Sequence, residues 1–249
     1  MDLQLKDRAY IITGGTRGLG LATARELVAD GAKVVVSGLR VTAPDAVVEQ
    51  LGGPGNAVVV AADNADPRTP ERLITAAREA FGRLDGALIS VGGPPPGPVE
   101  SITDEQWCGT FEAAFLGAVR LSRTIAAELG EGGAIGFVLS TSVYEPIPGL
   151  VLSNALRPGL AGYAKTLATE VGPRGIRVVG LIPAHIATDR ARELNAATGF
   201  GDDILTSVPL RRQGAPEEFG RVAAFLLSPA ASYVTGSTVT VDGGARAGY

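Results

Sequence analysis

Short apolar runs alternate along this chain with longer segments of helical period. The runs are Ala9–Thr13, Lys33–Ser37, Ala57–Ala61, Gly86–Val91, Ala134–Ser140, Ile176–Ile182 and Thr238–Val241. They are rich in Val and Ile and are bounded by Gly, Asp or Pro, as strands covered on both faces are. Between them, Gly18–Asp30, Pro67–Phe81, Asp104–Leu129, about Gly149–Val171 and Ala215–Leu227 read as helices. Ala215-Pro216-Glu217-Glu218 is a start signal, with Pro in the first turn and acids against the positive end of the dipole. The alternation predicts an α/β fold, a doubly wound parallel sheet of about seven strands with helices on both faces. No repeat and no linker divides the chain, so residues 1–249 read as one domain. The Pro/Gly-rich stretch Gly92–Pro98 follows a strand directly. It is either a rigid connector or the rim of a pocket at the carboxyl edge of the sheet, where open α/β sheets bind ligands.

Composition narrows the chemistry. Of 249 residues, 45% are apolar and 19% charged, which excludes disorder and provides for a sizeable core. Lys and Arg number 22 against 26 Asp and Glu, a formal charge of −4 that argues against nucleic acid as a partner. One cysteine, Cys108, and one histidine, His185, rule out an internal disulfide and leave a Cys/His zinc site short of ligands, so no metal is expected. Met1–Tyr10 carries Asp2, Lys6, Asp7 and Arg8 and lacks the apolar centre of a signal peptide. No stretch is long enough to span a bilayer. A soluble cytoplasmic protein with no membrane partner is the expectation.

The sharpest local feature is Thr13-Gly14-Gly15-Thr16-Arg17-Gly18-Leu19-Gly20, between the first strand and the first helix. Glycines permit a tight turn and a close backbone approach to a pyrophosphate, and the helix start offers unpaired N–H groups to the anion. At the end of the second strand, an NAD binder places Asp or Glu against the ribose hydroxyls. Here the stretch is Ser37-Gly38-Leu39-Arg40, without an acid. Arg17, Arg40 and Ser37 can face an additional phosphate, which favours NADP(H) over NAD(H). The plain alternative is that Arg40 is a solvated loop charge.

With these motifs in place, the chain resembles the short-chain dehydrogenase/reductase family, near its 3-oxoacyl-acyl-carrier-protein reductase branch. The resemblance runs nearly end to end. The glycine loop has the family's TGxxxGxG form, and Asp63-Asn64 stands where the family holds adenine. Gly92-Gly93 matches the tail of its NNAG motif, Pro183 and Thr188 its PGxxxT segment, and Val241-Asp242-Gly243-Gly244 its VDGG. The resemblance implies a Rossmann-type fold, a nicotinamide cofactor near Gly92, Pro183, Ile186 and Thr188, and a small carbonyl or alcohol substrate. It also implies a homodimer or homotetramer. Leu160, Tyr163, Ala164, Leu167 and Ala168 form a small-residue stripe suited to helix packing, although core packing explains the same stripe.

The family's proton chemistry rests on a Tyr, a Lys four residues later, a Ser that polarises the carbonyl and an Asn on the fourth helix. No tyrosine here has Lys at that spacing. Aligning the helix on Gly162-Tyr163-Ala164-Lys165 puts Ser153 at the Tyr position and Arg157 at the Lys position, with Ala114 at the Asn position. Ser140 has the usual spacing to the Tyr position, whereas Ser142 fits if the following loop is short. Ser153 and Arg157 share a helix face. An aliphatic hydroxyl is a far weaker acid than a phenol, and Arg stays protonated and cannot act as a base. Pro158 directly after Arg157 predicts a kink or a late start of that helix.

If hydride transfer persists, the proton comes from Tyr144, from His185 or from water, with Glu145 placed to orient either side chain. Each also has a plain reading, Tyr144 as a rim aromatic and His185 as a loop histidine. Trp107 and Phe111 read as core or interface, and Cys108 as a helix residue in apolar surroundings. Ala187–Val208 reads as a substrate lid, with Asn195, Phe200, Asp202 and Asp203 in no recognisable motif. Arg190, Arg192, Arg211 and Arg212 are anion contacts or solvated charges. Three functions stay open: an NADP-dependent carbonyl reductase or alcohol dehydrogenase with a rebuilt acid, a non-redox cyclase, isomerase or dehydratase, and a non-catalytic cofactor-binding subunit.

Overall fold

The structure, a computed structural model, describes residues 1–198 and 204–248. Seven strands form one sheet in the order β3-β2-β1-β4-β5-β6-β7, with every pairing parallel. They are β1 Ala9–Ile12, β2 Lys33–Gly38, β3 Ala57–Ala61, β4 Gly86–Ile89, β5 Ala134–Val138, β6 Arg177–Pro183 and β7 Ser237–Val241. The helices are α1 Gly18–Ala29, α2 Pro44–Gln50, α3 Thr69–Phe81, α4 Asp104–Thr110, α5 Gly117–Glu128, α6 Val151–Val171, α7 Asp189–Thr198, α8 Ile204–Ser207 and α9 Pro216–Leu227. All seven apolar runs become strands, with ends shifted by a residue or two. The edge strands β3 and β7 stay partly exposed, whereas β1, β2, β4, β5 and β6 are buried on both faces by two core clusters. One gathers Ile11, Leu73, Leu121, Ile125, Phe137, Leu160 and Val178 under α3, α5 and α6. The other gathers Ile12, Leu27, Val34, Leu88, Phe219 and Leu227 under α1 and α9.

Four features depart from the sequence pattern. Helix α2 is too short to display a period, although Pro44 at its start and Asp45 in its first turn are the local signal for it. The segment Asp104–Leu129 is not one continuous α-helix, because Phe111–Leu116 is π-helical between α4 and α5. Pro158 neither delays nor ends α6, which begins at Val151 and continues to Val171. Its start is held independently of the proline: Asn154 Oδ1 accepts from Ile147 N and Asn154 Nδ2 donates to Ile147 O, both at 2.9 Å. Cys108 is exposed, not in apolar surroundings, because neither α4 nor the π segment has a fully buried residue.

The Leu160–Ala168 stripe resolves in favour of the core. Leu160, Ala164, Leu167 and Ala168 are buried beneath α6, and Tyr163 packs beside them, edge-on to Phe137. Phe200, Asp202 and Asp203 lie outside the described residues, and Asn195 falls within the span of α7. Among the described residues no helix is long and apolar enough to cross a membrane.

Arg177 ties the end of α9 to the sheet. Its guanidinium is buried and donates to the carbonyls of Leu226 and Ser228 at 2.7 Å and of Leu227 and Val234 at 3.3 Å. Those of Leu226, Leu227 and Ser228 are helix-end acceptors that lack intrahelical donors. Arg177→Met strands them, and the expected cost is roughly 3 kcal/mol in the urea-unfolding free energy.

At the other end of α9, Glu218 accepts from Arg212 through both oxygens at 2.7 Å and from Ala215 N at 2.8 Å. The Arg212 hydrogen bond comes first among the causes that hold this carboxyl at about 2, below its ordinary 4.5. A depressed acid contributes stability above its unfolded value and loses it as pH falls through the folded one. The difference in urea midpoint between wild type and Glu218→Gln therefore shrinks as pH falls from about 4.5 towards 2.

Candidate functional site

Strand order reverses between β1 and β4, and the loops that leave these strands diverge to form a crevice. Thr13 fixes the spacing across it: its N donates to Leu88 O at 3.0 Å, its Oγ1 donates to Ser90 O at 3.0 Å and accepts from Ser90 N at 2.9 Å. Gly14 has φ +59°, and a Cβ there would meet Ser90 O at 2.7 Å. At Gly20 a Cβ would lie 2.3 Å from Gly14 O, so helix α1 can begin this close to the loop only on a glycine. Arg17 stands before the helix with no side chain capping its first turn, which leaves those N–H groups for an anion. Leu19 packs against the core beneath. Nothing lies within 4 Å of the position a Gly92 side chain would take.

The end of β2 completes the cradle. Ser37 is buried and Arg40 exposed, and no carboxylate stands in this turn. A Cβ on Gly38 would meet Thr16 Oγ1 at 2.7 Å, so Thr16 closes over that turn. Asp63 accepts from Ala65 N, and the Asn64 carbonyl lies 2.4 Å from where a Cβ on Gly117 would stand. On the far side, Pro183 ends β6 opposite Val241, Ile186 is buried and bridges to Gly214, and Thr188 Oγ1 accepts from Ala191 N at the start of α7. The Thr188 methyl comes within 3.9 Å of the place a Gly18 side chain would begin. These residues fit a dinucleotide: a cradle that any Cβ would fill, an uncapped helix start, and cations in place of an acid at the β2 turn.

The sequence left open whether Ser140 or Ser142 faces the Tyr position, and the geometry distinguishes them. Ser142 Oγ lies 3.0 Å from Ser153 Oγ and 3.3 Å from Ser153 O. Ser140 instead accepts from Ser142 N at 3.2 Å and starts the turn Thr141–Val143. One turn along α6, Arg157 is buried and its Nη1 donates to Val138 O, the last residue of β5, at 2.8 Å. Burial lowers the Arg157 pKa to about 10, and among the described residues it takes part in no ion pair. Ser142, Ser153 and Arg157 are all buried; the two serines bond each other, and Arg157 follows Ser153 one turn along α6. Ala114, at the position of the family's Asn, lies inside the π segment.

Tyr144 is not brought into that group. Its hydroxyl pairs with Thr238 Oγ1 at 2.9 Å, and the Arg246 guanidinium covers its ring at 3.5 Å. Thr238 pairs in register with Gly180, upstream of the carboxyl edge at Pro183, so the tyrosine is turned back along the sheet. His185 has φ +52° and is half-buried near Asp242. Burial, the larger influence, lowers its pKa and the Asp242 charge opposes this.

Sequence reasoning missed Arg246, which has no motif, and the ion pairs of α7. Arg190 donates to Pro94 O at 2.6 Å, with its guanidinium against Gly93, and Glu193 lies 3.9 Å from Arg190 and 4.0 Å from Arg17. Arg192 pairs with Asp189, Arg211 with the Thr206 carbonyl, and Arg212 with Glu218.

Comparison with known proteins agrees with this architecture. A family model described as enoyl-(acyl carrier protein) reductase matches residues 14–246. Human dehydrogenase/reductase SDR family member 4 is 34% identical over 247 residues, covering 96% of this chain and 88% of its own. The 3-oxoacyl-[acyl-carrier-protein] reductase of Synechocystis sp. is 34% identical over 245 residues, covering 96% of this chain and 97% of its own. The crystal structure of a short-chain dehydrogenase from Burkholderia cenocepacia J2315 in complex with NADP superposes with a TM-score of 0.89 at 31% identity, covering 98% of this chain and 100% of that one. With its strand order, its glycine cradle and these relatives, the chain belongs to the short-chain dehydrogenase/reductase family.

Proposed function

We propose that the protein is an NADP(H)-dependent oxidoreductase that interconverts a small carbonyl compound and its alcohol, with a polar group other than the family's Tyr and Lys. The observation that carries this reading is the Ser142–Ser153 hydroxyl pair beside an intact dinucleotide cradle. The β2 turn, with Arg40 and no acid, supports NADP(H) over NAD(H), as does the NADP in the Burkholderia cenocepacia relative. When bound, the nicotinamide supplies or receives the hydride.

The protein's own residues then have distinct tasks. Gly14, Gly18 and Gly20 admit the pyrophosphate to the start of α1, with Arg17 beside it. Arg40 meets the additional phosphate, whereas Ser37, expected to join it, is buried within β2; Asp63 and Asn64 border the adenine, and Gly92, Ile186 and Thr188 border the nicotinamide. Ser153, bonded to Ser142, donates a hydrogen bond to the carbonyl oxygen. Fixed donors of this kind favour the developing alkoxide more than the carbonyl. The proton reaches that oxygen from water through the hydroxyl pair, since the Tyr144 hydroxyl is held at Thr238. Assembly as a homodimer or homotetramer belongs to the same reading, and light scattering of the purified protein measures it.

Calorimetric titration should show NADPH binding more tightly than NADH, and Arg40→Ala should reduce that preference by about tenfold, the value of one charge-assisted phosphate contact. Equal affinities would remove the NADP assignment. Ser153→Ala and Ser142→Ala should each lower kcat by about 100-fold with NADPH affinity unchanged, a greater loss than Tyr144→Phe causes. Deuteride carried from labelled NADPH into product confirms the redox step. Turnover without label transfer would indicate the non-redox alternative.

A further inference from the structure

Two arginines are buried in this structure, and only one of them is accounted for. Arg177 spends its donors on carbonyls at and beyond the end of α9. Arg157, 7% exposed, has a single hydrogen bond among the described residues, to Val138 O, and none of the ion pairs there includes it. Every side-chain nitrogen or oxygen sealed from solvent among the described residues has a partner. The uncommitted nitrogens of Arg157 therefore keep some contact with solvent, one helical turn beyond Ser153. The guanidinium stays charged at neutral pH, and a desolvated cation without a counter-charge is costly to keep.

We propose that Arg157 receives the carboxylate of the substrate, so that the carbonyl compound is an oxo acid. This rests on the oxidoreductase reading above and specifies its substrate class. A ribose hydroxyl is neutral and would leave the buried charge uncompensated. A carboxylate compensates it and matches the guanidinium fork with paired hydrogen bonds. Ser153 and Arg157 stand one turn apart on α6, and Arg157 folds back to the end of β5, the strand that leads into Ser142. A carbonyl oxygen on the serine pair and a carboxylate one or two carbons away on Arg157 use all three residues.

The test compares two matched pairs with NADPH: 2-oxobutanoate against its methyl ester, and acetoacetate against methyl acetoacetate. At least one acid should exceed its ester in kcat/KM by about tenfold or more. Oxamate, an unreactive oxo-acid mimic, should bind the NADP-saturated protein in calorimetry. Arg157→Met should abolish both effects while NADPH affinity stays within about twofold. Arg157→Lys, which keeps the charge without the fork, should retain part of them. If Arg157→Met does not fold, the wild-type ratios and Arg157→Lys decide. Esters used as well as acids, with no oxamate binding, would overturn the proposal. So would an acid preference that survives Arg157→Met while NADPH affinity falls tenfold, which assigns the arginine to the cofactor. Arg157-dependent oxamate binding without hydride transfer to any probe would uphold the anion site and overturn the oxidoreductase reading instead.

Discussion

The crevice depends on how closely two pieces of backbone approach. The glycine loop leaves β1 and comes against the end of β4 near enough that Gly14 would collide with the Ser90 carbonyl if it had a side chain. Thr13 locks the two strands at that spacing through its hydroxyl. Helix α1 then begins at Gly18, with Gly20 in its first turn almost in contact with the Gly14 carbonyl, and its first N–H groups carry no side-chain cap. Loosening this approach would move the anion site away from the carboxyl edge where Ser142 and Ser153 lie. Helix α7 meets the same point, with Arg190 against Gly93 and Glu193 between Arg190 and Arg17.

Most of the fold was legible in the sequence because buried parallel strands are continuous apolar runs, and each of the seven runs stands alone between turn residues. The cradle was legible because its requirement is for glycine, a residue visible without any structure. What escaped was set by tertiary contacts. The π segment around Ala114 has no compositional mark. Pro158 suggested a kink or a late start because local rules see the missing donor but not the Asn154–Ile147 pair that secures the first turn. Tyr144 had the right chemistry for a proton donor, yet Thr238 and Arg246 come from the far end of the chain to hold it elsewhere. The choice between Ser140 and Ser142 turned on a loop length that spacing alone left ambiguous.

Burial of charge divides the molecule into a part that serves stability and a part that serves chemistry. Arg177 is expensive to bury, but the carbonyls at the end of α9 take up its donors and the helix gains an anchor to the sheet. Arg157 returns a single hydrogen bond to the fold, to Val138 O, against the four of Arg177. It keeps a charge in a region that apolar packing would stabilise better, which fits a residue retained for a ligand rather than for the core. The Ser142–Ser153 pair beside it is satisfied internally and so can hold its geometry until a carbonyl oxygen offers a better acceptor.

The contact between Thr16 and the turn after β2 limits how this chain can change over evolutionary time. A family member that exchanges one dinucleotide for the other does so by altering the end of its second strand. Here the first step past Ser37 is narrow, because a Cβ at position 38 would stand 2.7 Å from the Thr16 hydroxyl and that side chain would have to turn aside. Leu39 is 65% exposed and Arg40 is exposed too, so they are the more open positions. Drift at position 38 is felt at position 16, within the glycine loop itself, so a substitution at one end of the cradle is weighed at the other.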